Sequence, residues 1–170
     1  MVKKPEISIV MNCHNGERFL EEAINSVLNQ TYKKWELIFW NNSSKDNSEK
    51  IFKSFKDKRL RYFYTPKKVS LYISRNAAVN KARGKFIAFL DVDDIWFPNK
   101  LKLQLKKFED TKVGLVYGKF IKYNKNSPFR KKQFITKKDL PEGYITRELL
   151  KNYPVGLLTI MIRKKYLNKK

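Results

Sequence analysis

The chain has 170 residues, 42% of them hydrophobic and 14% aromatic, enough for one domain with a real core, and no apolar run is long enough to cross a membrane. Its formal net charge is +22, with 19 basic against 11 acidic residues before position 101 and 19 against 5 after it. Such a surface attracts polyanions, whether nucleic acid, an anionic membrane leaflet or a phosphorylated substrate, although scattered lysines also suit a merely lysine-rich composition. A single cysteine, Cys13, excludes an internal disulfide, and the basic start enters a strand with no signal-like apolar run, so the expectation is a cytoplasmic protein.

In chain order, Ile7 to Met11 reads as a short apolar strand followed by the polar turn Asn12 to Gly16. Leu20, Ala23, Ile24, Val27 and Leu28 then fall on one helical stripe. Trp35 to Trp40 is a second strand, and Asn41 to Ser48 is a loop of side chains that hydrogen-bond their own backbone. A short helix carries Ile51, Phe52 and Phe55, Leu60 to Tyr64 is a third strand, and residues 74–82 form a helix stopped by Gly84. Phe86 to Leu90 is a strand buried on both faces, opening into Asp91-Val92-Asp93-Asp94. Leu101, Leu105 and Phe108 mark a further helix, and Val113 to Tyr117 a strand. Short strands near Phe120-Ile121 and Gln133 to Ile135, a helix at Glu148 to Leu150 and a final strand at Thr159 to Ile162 complete the pattern. Strands alternating with helices predict an α/β fold: a doubly wound, mostly parallel sheet with helices on both faces.

Three carboxylates in four positions, at the strand end where open α/β sheets bind ligands, need an explanation. In extended chain Asp91 and Asp93 face the same side, and two ionised carboxylates roughly 6 Å apart repel by about 3 kcal/mol at a dielectric near 20. A helix cap accounts for one acid. A divalent cation arriving with a phosphorylated ligand accounts for the set. The first turn offers one glycine where a dinucleotide fold needs three, and there is no Gly-Lys-Ser/Thr phosphate loop, so a bound diphosphate would be neutralised by metal.

Five stretches, Ser8 to Glu17, Ser26 to Tyr32, Asn41 to Ser48, Ser74-Arg75-Asn76 and Phe89 to Asp94, occur in an order that resembles the family 2 glycosyltransferases of GT-A fold. The resemblance spans about residues 6 to 105. It implies inverting transfer of a sugar from a nucleotide-diphosphate donor, most often a UDP-sugar, to a polysaccharide or lipid-linked acceptor in cell-envelope glycan synthesis. Residues 1–118 would be the donor-binding part of the domain and 119–170 an incomplete acceptor-side part. Cys13, His14, Asn15 and Glu17 would lie in the turn beside the nucleotide, Asn41 in the place of a base-reading aspartate, and Arg75 near the nucleotide. Asp91 and Asp93 would be the acids of the Asp-x-Asp motif, Asp93 the direct ligand of Mn2+ or Mg2+ and Asp91 nearer the ribose.

Three departures from the family pattern stand out. Asn41 replaces an acid, His14 stands where Tyr is common and reads more simply as a turn residue, and Cys13 reads as a small packing residue. The family's later carboxylate base has no counterpart: Asp139, Glu142 and Glu148 lie in no such motif and no acid follows Glu148. The general base is therefore unassigned and the acceptor half reads as truncated, which raises the alternative of a nucleotide-sugar-binding remnant without efficient turnover. Peripheral contact with anionic lipid at the inner face of the membrane is a further expectation, and a nucleic-acid partner is disfavoured because no binding motif accompanies the charge.

Overall fold

A computed structural model describes residues 4–122, 133–134, 140–151, 153 and 155–167. Its strands are β1 (Ile7–Cys13), β2 (Trp35–Asn42), β3 (Leu60–Thr65), β4 (Phe86–Phe89), β5 (Leu115–Val116), β6 (Ile121–Lys122), β7 (Gln133–Phe134) and β8 (Met161–Arg163). The helices are α1 (Glu17–Leu28), α2 (Ser48–Ser54), α3 (Leu71–Asn80), α4 (Lys100–Lys107) and α5 (Thr146–Lys151). Six strands form one sheet in the order β3-β2-β1-β4-β8-β5, while β6 and β7 pair separately. The first four run parallel, and β8 lies antiparallel between β4 and β5. Among the described residues no helix is long and apolar enough to cross a membrane.

Alternation along the strands builds a core on each face. Ile7, Ile9, Met11 and Cys13 of β1 join Leu37, Phe39 and Leu90 and the apolar faces of α1, α2 and α4 in one cluster. Val10, Ile38, Ile87 and Phe89 point the other way, onto Ala78 and Val79 of α3. Every residue of β1 is buried, as expected of a central strand with helices on both sides.

Where the parallel strands begin, Glu36 and Ser8 gather the donors around them, while the Trp35 indole N–H is buried with no hydrogen-bond partner among the described residues. Glu36, 4% exposed, accepts from Ser8 Oγ (2.6 Å), the Arg83 amide (2.6 Å) and Arg61 Nη1 (2.6 Å). Ser8 Oγ in turn accepts from the Gly84 amide at 2.8 Å. Gly84 passes so close to β1 that a Cβ there would lie 2.6 Å from the Ser8 nitrogen and 2.8 Å from the Ile7 carbonyl carbon. Only glycine fits that approach.

Three sequence expectations are corrected by the backbone. The helix expected over residues 74–82 starts at Leu71; its first turn exposes Leu71, Tyr72 and Ile73 and so gives no amphipathic stripe. The chain through Asp91 to Asp94 is a turn rather than an extension of β4, closed by the Asp94 amide donating to the Asp91 carbonyl at 3.1 Å. The expected strand at Val113 to Tyr117 shortens to Leu115–Val116. Ile135 and Asp139 lie outside the described residues.

Candidate functional site

Because β1, β2 and β4 are parallel, the loops that follow them meet at one end of the sheet. The turn after β1 and the loop after β2 are sewn together residue by residue. The Asn15 amide donates to Ser44 Oγ (3.0 Å) and Asn15 Oδ1 accepts from the Lys45 amide (2.8 Å). The Gly16 amide donates to Ser48 Oγ (2.9 Å), the Glu17 amide to Asp46 (2.9 Å), and the Asn47 amide and carboxamide both donate to Glu17 Oε2 (2.8 Å each). Asn15 and Ser43 take left-handed φ of 56° and 60°, a conformation that costs a non-glycine residue energy and is maintained by these bonds.

The acidic turn locks onto the same assembly. A Cβ on Gly16 would sit 2.9 Å from Cys13 Sγ and 3.0 Å from Val92 Cγ2, so Val92, flanked by acids, packs inward against the first turn. Asp91 turns the other way and accepts from Arg75 Nη2 of α3 at 3.1 Å. Asp93 is exposed. Burial, followed by the charges of Asp93 and Asp91, pushes the Asp94 carboxyl up to about 6.

Each sequence-selected residue therefore has a place. Cys13 is 2% exposed, and burial raises its thiol pKa, which makes it a packing residue. His14 is exposed, and its Nδ1 lies 2.9 Å from the Asn42 carbonyl, which can only accept. The neutral ring thus carries its proton on Nδ1, leaving Nε2 as an acceptor. Asn41 is fully buried; its Nδ2 donates to Tyr62 OH (2.9 Å) and its Oδ1 accepts from the Ser44 amide (2.9 Å). Both ends of this carboxamide brace the β2 loop. Asn42 pins the segment leading into α3 by exchanging two hydrogen bonds with the Val69 backbone, at 2.8 and 3.0 Å.

One residue at this end escaped the sequence reading. Asn12, 7% exposed at the end of β1, has neither Oδ1 nor Nδ2 hydrogen-bonded among the described residues. By strand alternation it shares the side of Val10, the face on which α3 carries Arg75. An unpaired buried amide costs about 1–3 kcal/mol, so it marks a position where a ligand's polar group has something to gain. Its only sequence signal was a polar residue closing an otherwise apolar central strand.

The donor set can be tested against a divalent cation. The acidic turn offers hard carboxylate oxygens carrying more negative charge than Arg75 offsets. Among the described residues no three His, Cys, Asp or Glu side chains converge in metal-ligating geometry. A sparse carboxylate set with surplus charge suits Mg2+ or Mn2+, which take one or two protein carboxylates and complete their shell with phosphate and water.

A second feature flanks the acidic turn. A cavity of about 270 Å3 is lined by Ile95, Trp96 and Phe97, by Lys100, Leu103 and Gln104 of α4, by residues 117–121 and by Leu158 and Thr159.

A family model described as glycosyl transferase family 2 matches residues 8–170. The UDP-Glc:alpha-D-GlcNAc-diphosphoundecaprenol beta-1,3-glucosyltransferase WfgD of Escherichia coli is 35% identical over 162 residues, 95% of this chain and 62% of that protein. Among solved structures, S. aureus TarS 1-349 in complex with UDP superposes with a TM-score of 0.77 at 21% identity, over 95% of this chain and 48% of that one. A mannosyltransferase of Pyrobaculum calidifontis in complex with GDP-Man and Mn2+ gives a TM-score of 0.61 at 21% identity, over 67% and 35% of the two chains. The chain thus spans about three-fifths of the length of this curated relative and half or less of these structures.

Proposed function

Because the chain belongs to glycosyl transferase family 2, we propose that the loops after β1, β2 and β4 bind a nucleotide-diphosphate sugar, UDP-linked, for inverting transfer to a lipid-linked or polysaccharide acceptor of the cell envelope. The observation that carries this reading is the convergence of the loops. Ser44, Asp46 and Ser48 hold the first turn, and Gly16 lets Val92 bring the acidic turn against it. The result is a single rigid rim in which His14, Asn12, Arg75, Asp91 and Asp93 are the groups left to meet a ligand.

In this reading Asp93, with Asp91 beside it, holds a divalent cation, which would supply charge neutralisation for the departing diphosphate. Arg75 orients Asp91 and adds positive charge on the phosphate side. Asn41 and Glu17 act by fixing the loop, Cys13 by filling the space beneath it. The acceptor hydroxyl attacks the anomeric carbon from the face opposite the leaving nucleotide. The WfgD name, with its UDP-Glc donor and diphosphoundecaprenol-linked acceptor, supports the substrate classes.

A second reading, donor binding without efficient turnover, is favoured by the state of the later acids weighed as a base: Glu142 and Glu148 are both exposed, and Asp139 lies outside the described residues. Calorimetric titration of UDP and UDP-sugars with and without Mn2+, into this chain and into Asp93→Asn, tests the donor site. Binding that requires both metal and Asp93 is the expected result, and metal-independent binding that survives Asp93→Asn overturns it. Release of UDP in the presence of a lipid-linked acceptor separates the two readings.

A further inference from the structure

The cavity beside the acidic turn is built around one cation. Trp96, Lys100 and Gln104 stand four residues apart, on one face of α4 and the turn leading into it. The Lys100 ammonium lies 4.0 Å from the centre of the Trp96 ring and donates to Gln104 Oε1 at 2.7 Å. An ammonium has three donors, so two N–H groups remain that no described residue accepts. No carboxylate is among the lining residues, and the amine is pushed down to about 7 by burial alone.

The other polar side chains of α4, Tyr117 and Thr159 on this wall are committed to the protein. Gln104 Nε2 donates to the Thr159 carbonyl (2.5 Å), Tyr117 OH to the Pro141 carbonyl (2.9 Å) and Thr159 Oγ1 to the Gly156 carbonyl (2.6 Å). A sugar ring, with a hydroxyl on most carbons, would find few partners here. The rest of the wall is apolar, and at the mouth Ile95, Phe97 and Leu103 are 52%, 68% and 64% exposed, a cluster of large apolar side chains that a monomeric surface ordinarily avoids. Lys119, also exposed, stands on the lining as a second basic residue.

A largely apolar cavity whose ammonium keeps two N–H donors that no described residue accepts is complementary to an amphiphile that carries an oxyanion. We propose that this cavity binds the alkyl phosphate end of a lipid-linked acceptor, with Lys100 Nζ taking the phosphate and Ile95, Phe97 and Leu103 the first units of the hydrocarbon chain. The identity of the ligand rests on the glycosyltransferase reading above; the cavity and its charge do not. Its position fits that role: Ile95 follows the acidic turn directly, so a headgroup held at Lys100 would present its sugar toward the rim where the donor is expected.

The test uses geranyl phosphate, geraniol and inorganic phosphate, each titrated into the whole chain while the Trp96 indole N–H is followed by NMR, with UDP calorimetry as an independent readout of the donor rim. Geranyl phosphate should bind at least about tenfold more tightly than either of the others. Lys100→Met, which keeps the apolar stem, should abolish that advantage while leaving geraniol unchanged. Leu103→Glu, a substitution on the exposed mouth that does not threaten folding, should weaken geranyl phosphate at least about fivefold. Equal affinity for geranyl phosphate and geraniol, a preference that survives Lys100→Met, or no binding at all overturns the proposal. Intact UDP binding alongside any of those results would show that the cavity assignment had failed and the donor site had not.

Discussion

The two ends of the parallel sheet treat their charged groups differently. Where the strands begin, Glu36, Ser8, Arg61 and the amides of Arg83 and Gly84 satisfy one another, and the Trp35 indole N–H is the buried donor left over among the described residues. Where they end, among the described residues Asn12 is buried without a partner, Arg75 pairs with Asp91 of the three acids, and Lys100 keeps two donors unmatched. The network at one end ties β1, β2 and the turn before β4 together, while the charged groups at the other end are left to meet a ligand. Stability and binding are thus separated along the strand axis, by the length of a seven-residue strand.

Mutations can break or sharpen this separation. The largest effect belongs to the end where the strands begin: Gly84→Ala drives a methyl into the β1 backbone and should cost about 4 kcal/mol, close to unfolding a marginal domain, read as a collapse of the chemical denaturation midpoint. Glu36→Ala should cost about 3 kcal/mol by stranding the Arg61 guanidinium and two donors, again with denaturation as the measure. Both should impair nucleotide binding only through loss of folded protein.

At the open end the sign reverses. The folded-state pKa of Lys100, about 7, lies below its ordinary value of 10.5, so between those pH values the unfolded chain binds more protons and stability should rise with pH. Lys100→Met should flatten that rise and gain roughly 1–3 kcal/mol at pH 7, seen by comparing thermal unfolding at pH 7 and 9.5. The smallest effect is expected of Asn12→Val, which removes an unpaired buried amide and should stabilise by about 1 kcal/mol while weakening UDP affinity by about three- to tenfold in calorimetry. If Asn12→Val left UDP binding untouched, the open end would extend less far toward α3 than its unpaired amide implies.

Much of this was legible in the sequence. The all-apolar β4 and the stripe of α1 predicted a doubly wound sheet, and a run of acids at a strand end pointed to the end where the loops after β1, β2 and β4 meet. What could not be read were relations between distant positions. Nothing local says that Val92, between two acids, packs on Gly16, or that the carboxamide of Asn41 is used up by Ser44 and Tyr62. The extended geometry expected for Asp91 and Asp93 failed for the same reason: long-range packing of Val92 outweighs the local tendency to continue the strand. Lys100 drew no attention because an amphipathic helix with lysines reads as solvated, and its burial depends on residues 117–121 and 158–159 closing over it.

The position of β8 bears on how the molecule is made. The last of the described strands lies inside the sheet, between β4 and β5. Until residues 161–163 leave the ribosome, β4 presents an unpaired edge and β5, already some 45 residues old, has no neighbour to join. The first four strands can assemble as the chain emerges, but β5 joins the described strands only by a late, long-range closure. A nascent chain stalled before that point would therefore be an aggregation-prone species and an early candidate for chaperone capture.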